Sequence, residues 1–222
     1  IFNEKEVDEL MVIDIDATVE NREPDYKMIE NLAVECRMPL CYGGGIKSAE
    51  QAQHIFSLGV EKIAISSVAV ENPLLIKEIA ERVGSQSVVV VLDVKKKFFG
   101  GKYEIWTHNA TKNTGKDPVE FAKLCASYGA GEIIINSIDQ DGIMKGYDLH
   151  IIDKVRESIN LPMTVLGGAG SLDDIGELIK KHGIIGAAAG SLFVFKGKYK
   201  AVLINYPNRT EKDLLMSKNF KV

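Results

Sequence analysis

Two short stretches share one arrangement of glycines and hydroxyls. Residues 39–48 read PLCYGGGIKS and residues 162–171 read PMTVLGGAGS. Each is an apolar run that closes on consecutive glycines, including Gly44 and Gly45 in the first and Gly167 and Gly168 in the second, followed by Ser48 or Ser171. Glycine lets a backbone approach a ligand closely, and its N–H groups can then point at an anion. A serine there would cap the following helix, whose N-terminus favours phosphate. Taken singly, either cluster also serves as no more than a tight strand-to-helix turn. The next strand of each part ends in small and hydroxylic residues again, AISS with Ser66 and Ser67, and AAGS with Gly190 and Ser191. Neighbouring strand ends would line one anion pocket in each half. Two opposed phosphate sites imply a long substrate phosphorylated at both ends.

The elements that must position these residues alternate along the chain. Apolar, β-branched runs at 9–16, 39–42, 61–66, 87–94, 132–139, 162–166 and 184–190 are nearly continuous, as in strands buried on both faces of a parallel sheet. Amphipathic stretches at 24–36, 48–59, 72–84, 117–129, 147–159 and 171–183 lie between them, several opening on Ser, Asn, Asp or Pro and several closing on Gly. Seven strands alternating with helices make a βα-repeat protein. Residues 95–115 interrupt the alternation with a Gly-Gly turn between β-prone runs, a hairpin in the position where α/β enzymes carry loops over the active site. After Phe195 the pattern fades into an expected final helix and tail.

The two halves repeat at a constant offset. Adding 123 takes Pro39 to Pro162, Gly44 to Gly167, Gly45 to Gly168 and Ser48 to Ser171; it also takes Glu9 to Glu132, Ile15 to Ile138 and Asp16 to Asp139. With one residue inserted, Gly59 meets Gly183 and Ser67 meets Ser191. Such an offset points to a duplicated four-unit half, and two (βα)₄ halves make a (βα)₈ TIM barrel. The expected layout is a single domain over 1–222, with half-barrels near 1–92 and 93–195 and a C-terminal helix or tail at 196–222. The strand ending at Asp93 has its equivalent before Ile1, so the first strand and part of the first helix, about 30 residues, are expected to be missing from a barrel that typically needs ~250. The competing reading is an open doubly wound sheet, but no GxGxxG follows the first strand.

Composition narrows the function. A net charge of −4 with no long basic stretch gives no case for nucleic acid, and no apolar run is long enough for a membrane helix. Cys36, Cys41 and Cys125 form no CxxC pair and read as buried reduced thiols of a cytoplasmic protein. The four histidines lack ligand spacing, so neither metal nor cofactor is expected.

The runs CYGGGI, VENP, GSQSVVVVLDVK, KNTG, GAGEIIINSIDQDG, GYD and GGAGS resemble the cyclase subunit of imidazole glycerol phosphate synthase, from about Asp8 to Phe195. The resemblance implies a reaction of ammonia with a bis-phosphorylated formimino aminoimidazole carboxamide ribotide. The products would be imidazole glycerol phosphate and aminoimidazole carboxamide ribotide (AICAR), in histidine biosynthesis. Ammonia would come from a glutaminase subunit docked at the N-terminal face of the barrel. By the same resemblance Asp93 matches one of two catalytic aspartates, the other belonging to the strand before Ile1. A free Asp titrates near ~3.9, so acid chemistry near neutrality needs burial or a neighbouring like charge. The alternative for Asp93 is a structural pair with Lys95 or Lys96.

Asp141, Gly142, Gly168, Gly190 and Ser191 match the second-half phosphate and glycerol site; Gly45, Ser66 and Ser67 match the first-half site. The family usually has Asn-Thr where this chain has Ser66-Ser67. Glu9, Lys62 and Glu132 match charged residues at the barrel floor where ammonia enters, although a structural salt-bridge cluster would group them equally well. Cys41 and Trp106 read as a core thiol and a hairpin aromatic. The stretches 21–48, 102–115 and 190–207 look closer to a paralogous branch that accompanies surface-polysaccharide genes and supplies ammonia for amidating a sugar. A third reading is a non-catalytic barrel that docks and activates a glutaminase. Without its first strand the fragment is expected to be inactive.

Overall fold

The computed structural model describes residues 1–98, 100–197 and 199–220. In chain order it places β1 (Leu10–Ile13), α1 (Tyr26–Glu35), β2 (Leu40–Gly43), α2 (Ala49–Ser57), β3 (Lys62–Ile65), α3 (Ser67–Glu71) and α4 (Leu74–Val83). There follow β4 (Val88–Lys96), β5 (Tyr103–Thr107), β6 (Lys112–Asn113), α5 (Pro118–Ser127), β7 (Glu132–Ser137), α6 (Leu149–Arg156), β8 (Met163–Leu166) and α7 (Leu172–His182). The chain then forms β9 (Gly186–Ala187), α8 (Ser191–Val194), β10 (Phe195–Lys196), β11 (Ala201–Val202) and α9 (Arg209–Asn219).

Seven strands pair in parallel in the order β1-β2-β3-β4-β7-β8-β9. The order is sequential, each step a strand–helix–strand crossover, which is the (βα)₈ TIM-barrel type of fold and not the doubly wound alternative. Side chains alternate across the strands. Cys41, Ala64, Val89, Val91 and Ile134 fill the inside of the curl with Met11 and Leu166 against them. Tyr42, Ile63, Val88, Val90, Leu92, Ile133 and Ile135 face the helices and pack on Ile29, Ile55, Ile76 and Ile151. The repeat is visible in the elements: Ser48 caps α2 with φ −144° and ψ 161°, and Ser171 caps α7 with φ −152° and ψ 166°.

Three elements differ from expectation for local reasons. The strand expected over 9–16 stops at Ile13, because Asp14 Oδ1 accepts from the N–H groups of Asp16 (3.2 Å) and Ala17 (3.0 Å) and turns the chain. The run at 184–190 yields only two strand residues, since glycine and alanine offer little side chain to hold a sheet edge. The region after Phe195 contains a hairpin, β10 paired antiparallel with β11, before α9. The expected final helix is α9, which opens on a capping box between Asn208 and Glu211.

The hairpin at 95–115 is present and is three-stranded: β5 runs antiparallel to β4, placing Trp106 opposite Asp93, and β6 pairs with β5. Its second turn holds His108, Asn109 and Ala110 at φ 52°, 52° and 60°. Non-glycine residues pay for this left-handed backbone, about 1 kcal/mol each. The turn is held by the His108 N–H, which donates to Ser67 Oγ at 3.0 Å.

Candidate active site

A cavity of about 630 Å³ opens at the carboxyl ends of the parallel strands, where barrel active sites lie. Gly44, Gly45, Ser66 and Ser67, named from the repeat alone, all line it, and Asp93 and Asp141 line it with them. The structure therefore brings the first-half residues together with the carboxylate. Gly142, Gly167, Gly168, Gly190 and Ser191 lie outside this cavity's lining. Gly142 nevertheless stands beside Ser191, where an added Cβ would sit 3.8 Å from the serine oxygen.

Asp93 is not paired with Lys95 or Lys96. Its Oδ1 accepts from Asn136 Nδ2 at 2.8 Å and its Oδ2 from Ser66 Oγ at 2.9 Å. Asn136 is its register partner on β7. Burial pushes the Asp93 carboxyl above the usual aspartate range, the two hydrogen bonds oppose this, and the charge of Asp141 adds to the rise. Asp14, at the end of β1 on the same cavity, is shifted the other way. Arg22 hydrogen-bonds it at 3.1 Å and holds its carboxyl below the usual range. Two carboxyls of one cavity, one biased toward its proton and one toward its charge, can divide acid and base roles.

The glycine clusters answer to both readings. At Gly44, with φ +113°, an added Cβ would overlap the Asp14 carbonyl oxygen; at Gly168, with φ +118°, it would overlap that of Gly146. These two glycines let the loops after β1 and β7 cross directly over the turns, as the tight-turn reading requires. Gly190 is different: its φ is negative, and an added Cβ would meet no described atom within 4 Å.

At the opposite end of the strands Lys62 Nζ donates to Glu9 Oε2 and to Glu132 Oε2, each at 2.9 Å, and Thr164 Oγ1 donates to Glu132 Oε1 at 2.6 Å. The three charged residues thus meet across the floor. Burial works against the Lys62 charge, but hydrogen bonds to Glu132 and Glu9 outweigh it and raise the ammonium above its usual value. Between floor and cavity lies the apolar interior, with Cys41 fully buried among it.

Among the cavity residues that sequence reasoning missed are Asp14, Asn136, His108 and Lys47. Lys47 Nζ donates to Asn21 Oδ1 at 2.6 Å and brings a positive charge beside Gly45. A cation two residues after a glycine cluster was a usable signal for an anion site. Asn136 was hidden in an apolar strand, and only its register against Asp93 reveals it.

A curled parallel sheet with its cavity at the strand carboxyl ends, glycine-lined on one side and holding a buried carboxyl on the other, defines the (βα)₈-barrel class of protein. The chain belongs to the histidine biosynthesis protein family, whose sequence model matches residues 1–200. It is 58% identical over 212 residues to "Putative imidazole glycerol phosphate synthase subunit hisF3" of Vibrio vulnificus, covering 96% of this chain and 82% of that protein. It is 47% identical over 214 residues to the hisF2 protein of the same description from Pseudomonas aeruginosa, covering 96% and 85%. To "Imidazole glycerol phosphate synthase subunit HisF" of Petrotoga mobilis it is 40% identical over 195 residues, covering 88% and 77%. Among the described residues no helix is long and apolar enough to cross a membrane.

Proposed function

We propose that the protein is the ammonia-dependent cyclase subunit of an imidazole glycerol phosphate synthase. It would take the bis-phosphorylated formimino ribotide and ammonia to imidazole glycerol phosphate, AICAR and water. The observation that carries this reading is the shared cavity of Gly44, Gly45, Ser66, Ser67 and Asp93. Glycine N–H groups, the Ser67 hydroxyl and Lys47 would hold one phosphate. Gly142, Gly168, Gly190 and Ser191 would hold the other. Adding ammonia to the substrate carbonyl, losing water and expelling AICAR each need a proton delivered. A carboxyl that burial biases toward its proton, such as Asp93, is suited to supplying one, and Asp14, held toward its charge, to accepting one. Ammonia would enter past Glu9, Lys62 and Glu132, from a glutaminase docked on that face, and cross the apolar interior unprotonated.

The full-length protein, given the formimino ribotide and ammonium at alkaline pH, should consume the ribotide, and Asp93→Asn should stop it. A folded protein that turns over no ribotide yet stimulates a glutaminase would refute the reading. A second reading is the sugar-amidation paralog. It is favoured by the Ser66-Ser67 pair, which departs from the Asn-Thr usual in the family. Turnover of a sugar substrate in place of the ribotide would select it.

A further inference from the structure

We propose that Ser66 is a positioning residue that couples the first-half anion site to Asp93: an anion that draws the Ser66 hydroxyl onto itself removes one of the two donors holding Asp93 as a carboxylate. The inference rests on the anion site proposed above. A serine hydroxyl has one proton to donate, and Ser66 spends it on Asp93 Oδ2 at 2.9 Å. Its neighbour Ser67 lines the same cavity but accepts from the His108 N–H at 3.0 Å, leaving its proton for a ligand. The two adjacent hydroxyls are therefore committed differently, one to the carboxyl and one to the pocket.

The other partner of Asp93 is built for either protonation state. Asn136 donates Nδ2 to Asp93 Oδ1 at 2.8 Å, while its own Oδ1 is shielded from solvent and accepts from no described residue. A half-turn of that carboxamide would present the idle oxygen to a protonated Asp93. Charged Asp93 thus has Ser66 and the amide N–H₂; neutral Asp93 has the amide oxygen, and Ser66 is released.

The charged groups around the cavity are Asp141 after β7, Asp14 after β1 with Arg22 bound to it, Lys47 on Asn21, and Glu71 facing His108 and Lys112. Asp139, also after β7, accepts from the Lys96 N–H, and Lys95 lies over the Trp106 ring. The donors recorded on the Asp93 carboxyl are Asn136 and Ser66, neither of them a cation. A bound anion adds negative charge and competes for Ser66. By reciprocity, protonating Asp93 must tighten the anion.

Sulfate tests this, because it stays divalent across the pH range used. Full-length protein labelled with ¹³C at the aspartate carboxyls would be titrated with and without saturating sulfate, the Asp93 resonance being the one absent from Asp93→Asn. In the wild type, sulfate should raise the Asp93 midpoint and bind about fivefold or more tightly below that midpoint than above it. In Asp93→Asn that part of the pH dependence should vanish. Ser66→Ala should raise the midpoint before sulfate is added and at least halve the sulfate-induced rise, and Ser66→Thr should restore both. Sulfate binding with equal midpoint shifts in wild type and Ser66→Ala overturns the coupling alone. No sulfate binding at any pH overturns the anion site itself.

Discussion

Replacing Lys62 by Met tests the barrel floor in energy and in function together. The ammonium contacts Glu132 and Glu9 at 2.9 Å each, and the three side chains are 25%, 13% and 40% exposed for Lys62, Glu132 and Glu9. Removing one partner of a fully buried ion pair costs ~3–5 kcal/mol, because the other charge is stranded. Glu132 is the stranded charge here, but it keeps the Thr164 hydroxyl at 2.6 Å, and water reaches the quarter-exposed lysine. That discounts its share to about 1.5–2 kcal/mol, and the more exposed Glu9 adds ~0–1. Lys62→Met should thus cost about 2 kcal/mol, and Glu9→Gln less than about 1.

The pH dependence has a definite sign. The folded value of Lys62 is raised, so its contribution is complete below the unfolded value near ~10.4 and is lost as pH rises through the folded one. Urea unfolding at pH 7 and 9 should give the same penalty for Lys62→Met, and a smaller one above pH ~11. If Lys62→Met costs no more than Glu9→Gln at pH 7, the stranded-charge argument is wrong. In activity the two ammonia sources should separate, with ammonium-driven turnover largely kept and glutamine-driven turnover altered. Equal loss from both sources would refute a role for the floor in ammonia entry.

Three other outcomes are expected. Asp93→Asn should abolish turnover yet be more stable than wild type at pH 7, since a carboxyl raised by burial disfavours folding as pH climbs from ~3.9 through its folded value; the gain should disappear near pH 4 in denaturant titrations. Gly44→Ala combines φ +113° with a clash on the Asp14 carbonyl and should cost about 2–4 kcal/mol, whereas Gly190→Ala should stay within ~0.5 kcal/mol while weakening phosphate binding; equal penalties would undo the distinction. In the native protein a thiol reagent should label Cys36 well before the others, because burial pushes the Cys125 thiol up to about 12 and the Cys41 thiol higher still; rapid labelling of Cys41 would mean that the interior opens.

What the sequence made legible, and what it hid, follows from the kind of constraint each residue obeys. The repeat could be read because glycine at Gly44 and Gly167 answers to overlap with the carbonyls of Asp14 and Ser137, themselves one offset apart, and Ser48 and Ser171 answer to helix caps. Such local demands leave the same letter at the same offset. Asn136 answers to a residue 43 positions away on another strand, and one polar side chain in EIIINSID carries no mark of its partner. The same reasoning recasts Ser66. By its place in AISS it is one of two equivalent hydroxyls, and only its bond to Asp93 separates it from Ser67. Residues fixed by the chain beside them announce themselves in sequence; residues fixed by the sheet across from them become visible only when the register is known. In this barrel the glycine scaffold of the cavity is of the first kind, and the hydrogen bonds that hold Asp93 are of the second.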